Sequence, residues 1–258
     1  MLMKVDELNK YEKKLMGLIP PERIQKVDFP RPPKELVEAF KEFEGLTPTV
    51  SDVLDSLGIK GAISASRLKP VVKGKKIVGP AITIRYIPES ITPDYGYLQK
   101  ERAKLADRDV YALGEEGDVP VFDAKSLGDV SVQGGMSTLV AQKWGMAGNI
   151  VDGGVRDIDT IYKLDYPVWS TGQTPITGKY RVEAMEINGP ITIADVRVNP
   201  GDLIIADDSG VVVVPFEKIE VVLEKTKEAV KKEDEVLKLF ESGASIEEIS
   251  KILPPSKW

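Results

Sequence analysis

The chain has 258 residues, 42% of them hydrophobic and 29% charged, with 41 acidic against 35 basic side chains and a net charge of −6. That is the make-up of a globular protein with apolar residues enough for a sizeable core, and its acidic balance excludes a broad basic surface for nucleic acid. It contains neither cysteine nor histidine, which removes disulfides, thiolate nucleophiles, zinc–cysteine sites, Ser–His triads and imidazole acid–base catalysis.

Met1 to Lys14 is charged throughout and lacks the apolar centre of a signal peptide, and no apolar run approaches the ~20 residues that span a bilayer. A cytoplasmic protein with no membrane partner is expected. Val5 to Leu18 reads as a short amphipathic helix stopped by Pro20 and Pro21. Pro30, Pro32 and Pro33 mark an extended connector, with Pro33 starting a helix that runs to Phe43. Residues 1–45 are therefore expected to form a helical, Pro-rich extension, and residues 46–258 the main domain. Thr49 or Ser51 is the expected N-cap of a short helix ending at Gly58. Ile77 to Tyr86 alternates like a strand; Val119–Asp123, Gly148–Asp152 and Val168–Ser170 are short apolar runs of buried-strand type. Ser137–Trp144 and Asp157–Leu164 read as helices between them. Ile191–Val198, Leu203–Ala206 and Val211–Val214 read as successive strands, separated by Asn199-Pro200-Gly201-Asp202 and Asp207-Asp208-Ser209-Gly210 turns. Phe216–Phe240 is a long helix, and Ser245 with Glu248 makes a capping box for a last one. Alternating strands and helices followed by clustered strands predict layered sheets with flanking helices, an α/β architecture. Neither a G-x-G-x-x-G nor a Walker A sequence is present, so nothing supports nucleotide binding.

The segment richest in chemistry is Gly134-Gly135-Met136, followed by Val151-Asp152-Gly153-Gly154-Val155-Arg156-Asp157. Glycines directly after an apolar strand let a ligand or another segment approach the backbone. Arg156 falls at the mouth of the next helix, where it can clamp a carboxylate or form a surface ion pair. Asp157 can ligate a metal directly or through water, or simply cap its helix. With no histidine or cysteine, a metal here must be held by carboxylates, carbonyls and water, which suits Mg²⁺, Mn²⁺ or Ca²⁺. Proton transfers must fall to Asp, Glu, Lys, Tyr, an oriented water or the substrate.

Together these residues resemble the RraA-like family, which includes 4-hydroxy-4-methyl-2-oxoglutarate/4-carboxy-4-hydroxy-2-oxoadipate aldolases and regulators of ribonuclease activity. The resemblance runs from about Thr47 to Gly243. It is carried by Thr49-Val50-Ser51-Asp52, Gly79-Pro80-Ala81-Ile82-Thr83, Gly117-Asp118, Ala147 to Asp157 and Pro200 to Pro215, with Gly135 and Arg156 separated by twenty intervening residues. It implies a swivelling β/β/α domain assembled as a homotrimer or a pair of trimers. It also implies a class II pyruvate aldolase with oxaloacetate decarboxylase activity, using Mg²⁺ or Mn²⁺ on a small 2-oxo acid; the alternative is a non-catalytic regulator that binds a protein. By the same resemblance Asp157 holds the metal, mainly through water, and Arg156 contacts substrate. Backbone N–H groups of Gly135, Met136 and Ser137 would receive the pyruvate carboxylate, although many relatives carry an acidic residue and leucines there. Lys179, or else Arg181, fills the place of a basic substrate contact. Glu233 matches a glutamate donated by a neighbouring subunit. The residues single it out as well, since it interrupts the stripe Ile219, Val222, Leu223, Thr226, Val230, Leu237, Phe240. A carboxylate on an apolar face is paired structurally, reaches a rim, or is functional.

Overall fold

The computed structural model describes residues 7–127 and 129–252. Its strands are β1 (Ala62–Ser64), β2 (Lys69–Pro70), β3 (Ile77–Pro88), β4 (Val119–Asp123), β5 (Ser131–Gln133), β6 (Asn149–Val155), β7 (Val168–Gln173), β8 (Val182–Ile187), β9 (Ile191–Ile193), β10 (Val196–Val198), β11 (Leu203–Asp207) and β12 (Gly210–Val214). The α-helices are α1 (Lys34–Lys41), α2 (Leu46–Ser56), α3 (Pro93–Leu98), α4 (Asp107–Leu113), α5 (Gly135–Lys143), α6 (Ile158–Leu164), α7 (Ile219–Glu241) and α8 (Ile246–Ile252). Among the described residues no helix is long and apolar enough to cross a membrane.

Strand β3 belongs to two sheets at once. Its first half, Ile77–Pro80, pairs antiparallel with β11, which continues to β12 and β1. Its second half pairs parallel with β4, followed by β6 and β7, and antiparallel with β8. A strand of 12 residues is long enough for both, and its near-continuous apolar run is what burial on both faces requires. The two sheets pack face to face, and the alternation of side chains sorts residues between layers. In β11, Ile204 and Ala206 enter the core between the sheets, while Leu203 and Ile205 meet α1, α2 and α7 on the outer face. In β4, Val121 joins the inter-sheet core and Phe122 the opposite core, which α4, α5 and α6 cover. Two packed sheets with α4, α5 and α6 on one face are the β/β/α layering expected, and α1, α2 and α7 add a helical layer on the other face.

Several element boundaries differ from the sequence-based expectation, each for a physical reason. Helix α2 begins at Leu46, three residues before Thr49: Pro48 suits the first turn, where its missing N–H is not needed, and Gly45 supplies a left-handed φ of 56°. The cap comes from a distant chain segment, because Asp207 accepts from Thr47 N and Thr47 Oγ1 at 3.2 and 2.6 Å. The expected strand 191–198 is a hairpin: Ala194 and Asp195 both take positive φ, as a two-residue hairpin turn of matching twist demands. Asp152, deep in β6, holds that turn by accepting from Ala194 N at 2.7 Å.

The expected helix Val5–Leu18 is also replaced. Its first two residues lie outside the described ones; residues 7–9 make one helical turn, 10–14 continue as turns, and 15–18 have no regular structure. Tertiary contacts win over local pattern here. Leu8, Ile19, Ile24, Val27 and Phe29 are buried in the core under α4 and α5, while Val37 and Phe40 of α1 reach the core beneath α7 on the opposite face. The extension thus wraps the body from one outer layer to the other. Midway, Arg31 clips it down with a two-pronged ion pair to buried Asp118, Nε to Oδ1 at 3.0 Å and Nη2 to Oδ2 at 2.8 Å. The predicted capping box before α8 is present, Ser245 N donating to Glu248 Oε2 at 2.8 Å and Glu248 N to Ser245 Oγ at 3.3 Å.

Candidate active site

Strands β5 and β6 run parallel and end side by side, and the site forms beyond their carboxyl ends, where ligands bind in open parallel sheets. From β6 the chain passes through Arg156 and Asp157 into α6; from β5 it passes through Gly134 into α5. Asp157 stands at the N-cap position of α6 in a left-handed conformation, φ 56° and ψ 45°, yet its side chain makes no capping bond. The backbone caps instead, Thr160 N donating to Asp157 O at 2.9 Å. The carboxylate turns to the neighbouring helix and accepts from Gly135 N at 2.9 Å, with Arg156 Nε 3.7 Å from the same oxygen. The helix-cap alternative for this side chain is therefore excluded by geometry.

That contact explains both glycines. A Cβ on Gly134 would lie 2.7 Å from Asp157 Oδ2 and 3.0 Å from Arg156 Cγ, and one on Gly135 would lie 2.8 Å from Thr160 Cγ2. The first turn of α5 can approach the Arg156–Asp157 corner only if both positions lack side chains. It brings with it the N–H groups of Met136 and Ser137, which have no acceptor inside their own helix. Gly153 and Gly154 have a different purpose: the backbone of Val130 and the side chain of Ala124 pack on them, so they admit neighbouring chain segments.

Arg156, Asp157, Met136 and Ser137 line one cleft of ≈ 290 Å³ together with Gly134, Arg102, Asp107, Arg108, Gln133, Thr177 and, from the extension, Met16 and Leu18. Arg156 and Asp157 are about half exposed there, 42% and 44% at the side chain. Asp107 is the buried acid of the site. Burial pushes its carboxyl above the usual carboxylate range, and the hydrogen bond with Ser137 only partly offsets this. Behind Ser137 runs a buried relay: Ser137 Oγ lies 2.9 Å from Tyr111 Oη, Asn149 Nδ2 donates to that oxygen at 2.9 Å, and Tyr166 Oη donates to Asn149 Oδ1 at 2.8 Å. Desolvation raises both tyrosines well above the ordinary phenol range, so they stay neutral donors.

Lys179, its alternative Arg181 and Glu233 are not among the residues that line this cleft. The Nζ of Lys179 sits 5.0 Å from the ring centre of Tyr97 and 4.7 Å from that of Tyr180. Arg181 donates to Thr177 O at 3.1 Å. Glu233 is exposed on α7 and borders a separate groove with Thr49, Asp52, Ser56 and Lys232. Conversely, sequence reasoning passed over Arg102, Asp107, Arg108 and Gln133. The signal for the middle pair was present: Asp107-Arg108-Asp109 is a charged triplet between Leu105-Ala106 and Val110-Tyr111-Ala112-Leu113.

The RraA-like family (Aldolase/RraA) matches residues 47–213, and the chain belongs to that family. Among curated proteins it is 34% identical to Protein DlpA of Legionella pneumophila over 199 residues, 77% of this chain but only 31% of that protein's length. It is 33% identical over 181 residues to a Halalkalibacterium halodurans protein named "Putative 4-hydroxy-4-methyl-2-oxoglutarate aldolase", covering 70% of this chain and 78% of the relative. Among solved structures, an uncharacterized protein from Pseudomonas syringae superposes with a TM-score of 0.71 at 27% identity, covering 86% of this chain and 99% of the other. Streptomyces coelicolor RraAS2, described as an unusual member of the RNase ES inhibitor RraA protein family, gives 0.66 at 28% identity, covering 80% and 98%. The match to the family stops short of residues 1–46, so the extension is outside it.

Proposed function

We propose that the chain is a divalent-metal-dependent lyase that cleaves 4-hydroxy-2-oxo acids to pyruvate and decarboxylates oxaloacetate at the same site. The observation that carries this reading is the turn of the Asp157 carboxylate away from its own helix, onto the first turn of α5 and beside Arg156. One half-exposed carboxylate in a water-accessible cleft fits a hard cation that keeps most of its waters and shares the substrate as a ligand, while the adjacent helix N-terminus suits the anionic substrate and not the ion. Among the described residues no group of three or more acidic side chains is placed to hold a metal ion, so within one chain the Mg²⁺ or Mn²⁺ of this proposal rests on Asp157. When bound, the ion supplies Lewis-acid withdrawal of charge from the 2-oxo group.

The remaining work falls to the chain. The N–H groups of Met136 and Ser137, with the positive end of α5, receive the carboxylate of the pyruvyl unit. Arg156 holds negative charge as it develops on the substrate and orients the water that takes the proton from the C4 hydroxyl. Decarboxylation needs no such proton transfer, so it is the more robust of the two activities. Glu233, exposed on a helix remote from this cleft, acts in trans within a homotrimer or pair of trimers. The carboxylate of a neighbour would then complete the mouth of the site. A Schiff-base route through Lys179 has no support from its position against Tyr97 and Tyr180.

The test is pyruvate formation from oxaloacetate by EDTA-stripped protein with and without Mg²⁺ or Mn²⁺. Metal-dependent release above the metal-only blank, abolished in Asp157→Ala, is the expected result. Activity that survives stripping would overturn the metal-dependent reading. No release at all would favour the binding role suggested by the RraAS2 likeness, a regulator that docks on another protein.

A further inference from the structure

We infer that Met16–Leu18 of the N-terminal extension is a wall of the substrate site and that, with Arg102 and Arg108, it forms the subsite for an anionic group carried beyond the scissile bond. This rests on the pyruvate-lyase reading above for which end of the substrate lies where, but the observations behind it are separate.

The first is an imbalance of charge. The cleft is lined by Arg102, Arg108 and Arg156 against Asp107 and Asp157. Asp157 is engaged by Gly135 N and Arg156, and Asp107 by Ser137. None of the ion pairs among the described residues includes Arg102 or Arg108. Asp107 faces Arg108 only through the longer-range field. Arg108, half-buried in the lining, and Arg102, exposed at its rim, have no carboxylate partner there, so this side of the cleft favours an anion from outside. The Nε of Arg108 and the Oε1 of Gln133, also in the lining, are buried with no hydrogen-bond partner among the described residues. Buried polar atoms of this kind are normally satisfied, so a ligand or water that reaches them removes a standing penalty.

The second observation is how the wall is built. Asp109, fully buried on α4, accepts from three successive backbone N–H groups of the extension: Met16 at 2.6 Å, Gly17 at 3.2 Å and Leu18 at 2.6 Å. Three consecutive N–H groups converge on one carboxylate because Gly17 takes a left-handed φ of 61°. From the cleft side, Arg102 Nη2 donates to Met16 O, and Arg108 Nη1 reaches Met16 Sδ at 3.6 Å. The same turn of α4 thus anchors the extension through Asp109 and presents Arg108 to the cleft. Arg108 and Asp109 are adjacent in sequence, so the pinning of the wall and the placement of the cation are one arrangement.

The experiment compares two substrates that differ only beyond the pyruvyl unit. Oxaloacetate carries a second carboxylate; pyruvate does not, and its use of the site is read by methyl proton exchange in D₂O by NMR with Mg²⁺ present. In Arg108→Gln and Arg102→Gln, KM for oxaloacetate is expected to rise at least tenfold more than the apparent constant for pyruvate exchange. Arg108→Lys should recover part of the difference. Asp109→Asn, checked for folding by circular dichroism, should shift KM for oxaloacetate in the same direction by loosening the wall. Equal losses on both substrates, or no loss on either, would overturn the subsite. If the wild-type chain neither exchanges pyruvate nor decarboxylates oxaloacetate, the lyase reading has failed, and calorimetric titration with the two acids decides the subsite alone. A preference for the dianion that is lost in Arg108→Gln sustains it; absence of a preference overturns it.

Discussion

Asp157 is the residue whose sequence context misleads most and whose geometry says most. An aspartate before a helix is ordinarily its cap, but here the left-handed backbone swings the carboxylate onto the neighbouring helix. Gly134 gives a sharp test of that contact, because its φ of −146° is one any residue adopts. Alanine at 134 therefore has no backbone cost, and the nearest atoms its Cβ meets belong to Asp157 and Arg156. Pyruvate release in Gly134→Ala should fall by at least ~10-fold while the melting temperature shifts by only a few degrees, since misplacement at a reacting centre is amplified in rate. Asp107 makes a prediction with the opposite balance. Its carboxyl titrates higher in the folded chain than the ordinary value of about 3.9. The folded state holds that proton more tightly, so the stability this group contributes is present at low pH and lost as pH rises through the folded value. Asp107→Asn removes this dependence: the variant should be the more stable at neutral pH, with the advantage vanishing below about pH 4. Urea midpoints measured across pH would check it.

At the scale of elements, the proline-rich connector is clipped down by Arg31, which pairs with buried Asp118 and, on its exposed side, with Glu115, where sequence suggests only an extended link. Arg31 is 15% exposed and Asp118 1%, and the guanidinium also stacks over the Phe29 ring at 4.1 Å. Arg31→Ala leaves a buried carboxylate without its partner and should cost about 3 kcal/mol, read as a lowered urea midpoint with an unchanged slope. Much of the element map is legible in the sequence. β4, β6, β11 and β12 carry apolar runs bounded by turn residues, and α7 a long helical period. What was not legible has a common cause. β5 and β8, and the short helices α3 and α4, are too brief or too mixed in pattern to stand out, and distant partners hold them: β8 lies on β3, and α3 on Tyr180 through Gly96. The helix expected over Val5–Leu18 fails for the complementary reason. Its periodic pattern is real, but Asp109 captures the backbone N–H groups at its end.

At the scale of the molecule, α7 outgrows the body that supports it. Its buried residues are Ile219, Val222, Leu223 and Thr226 on the body and Val236 further on, while Leu237 and Phe240 stand 58% and 59% exposed. The apolar stripe read from sequence thus continues past the surface it covers, and Ile246 of the following helix α8 is also exposed. Large apolar side chains grouped on a surface mark contacts between proteins. Sedimentation should find trimers or pairs of trimers, and Leu237→Asp with Phe240→Asp should shift the distribution toward smaller species. A monomeric wild-type chain would remove the in-trans role given to Glu233.

By itself the sequence determined the layered α/β class, the RraA-like family, the absence of imidazole and thiol chemistry, and the two segments that flank the site, Gly134–Ser137 and Arg156–Asp157. These are local properties: side-chain period, turn chemistry and the inventory of functional groups are all written in neighbouring residues. Only the tertiary structure decided that Asp157 serves α5 and leaves α6 to its backbone, and that Met16, Arg102 and Arg108 join Arg156 in one cleft. The reason is topological. Parallel strands bring their carboxyl ends together whatever their separation along the chain, and the segments that gather there are chosen by packing and hydrogen bonding across the fold, which no local pattern encodes.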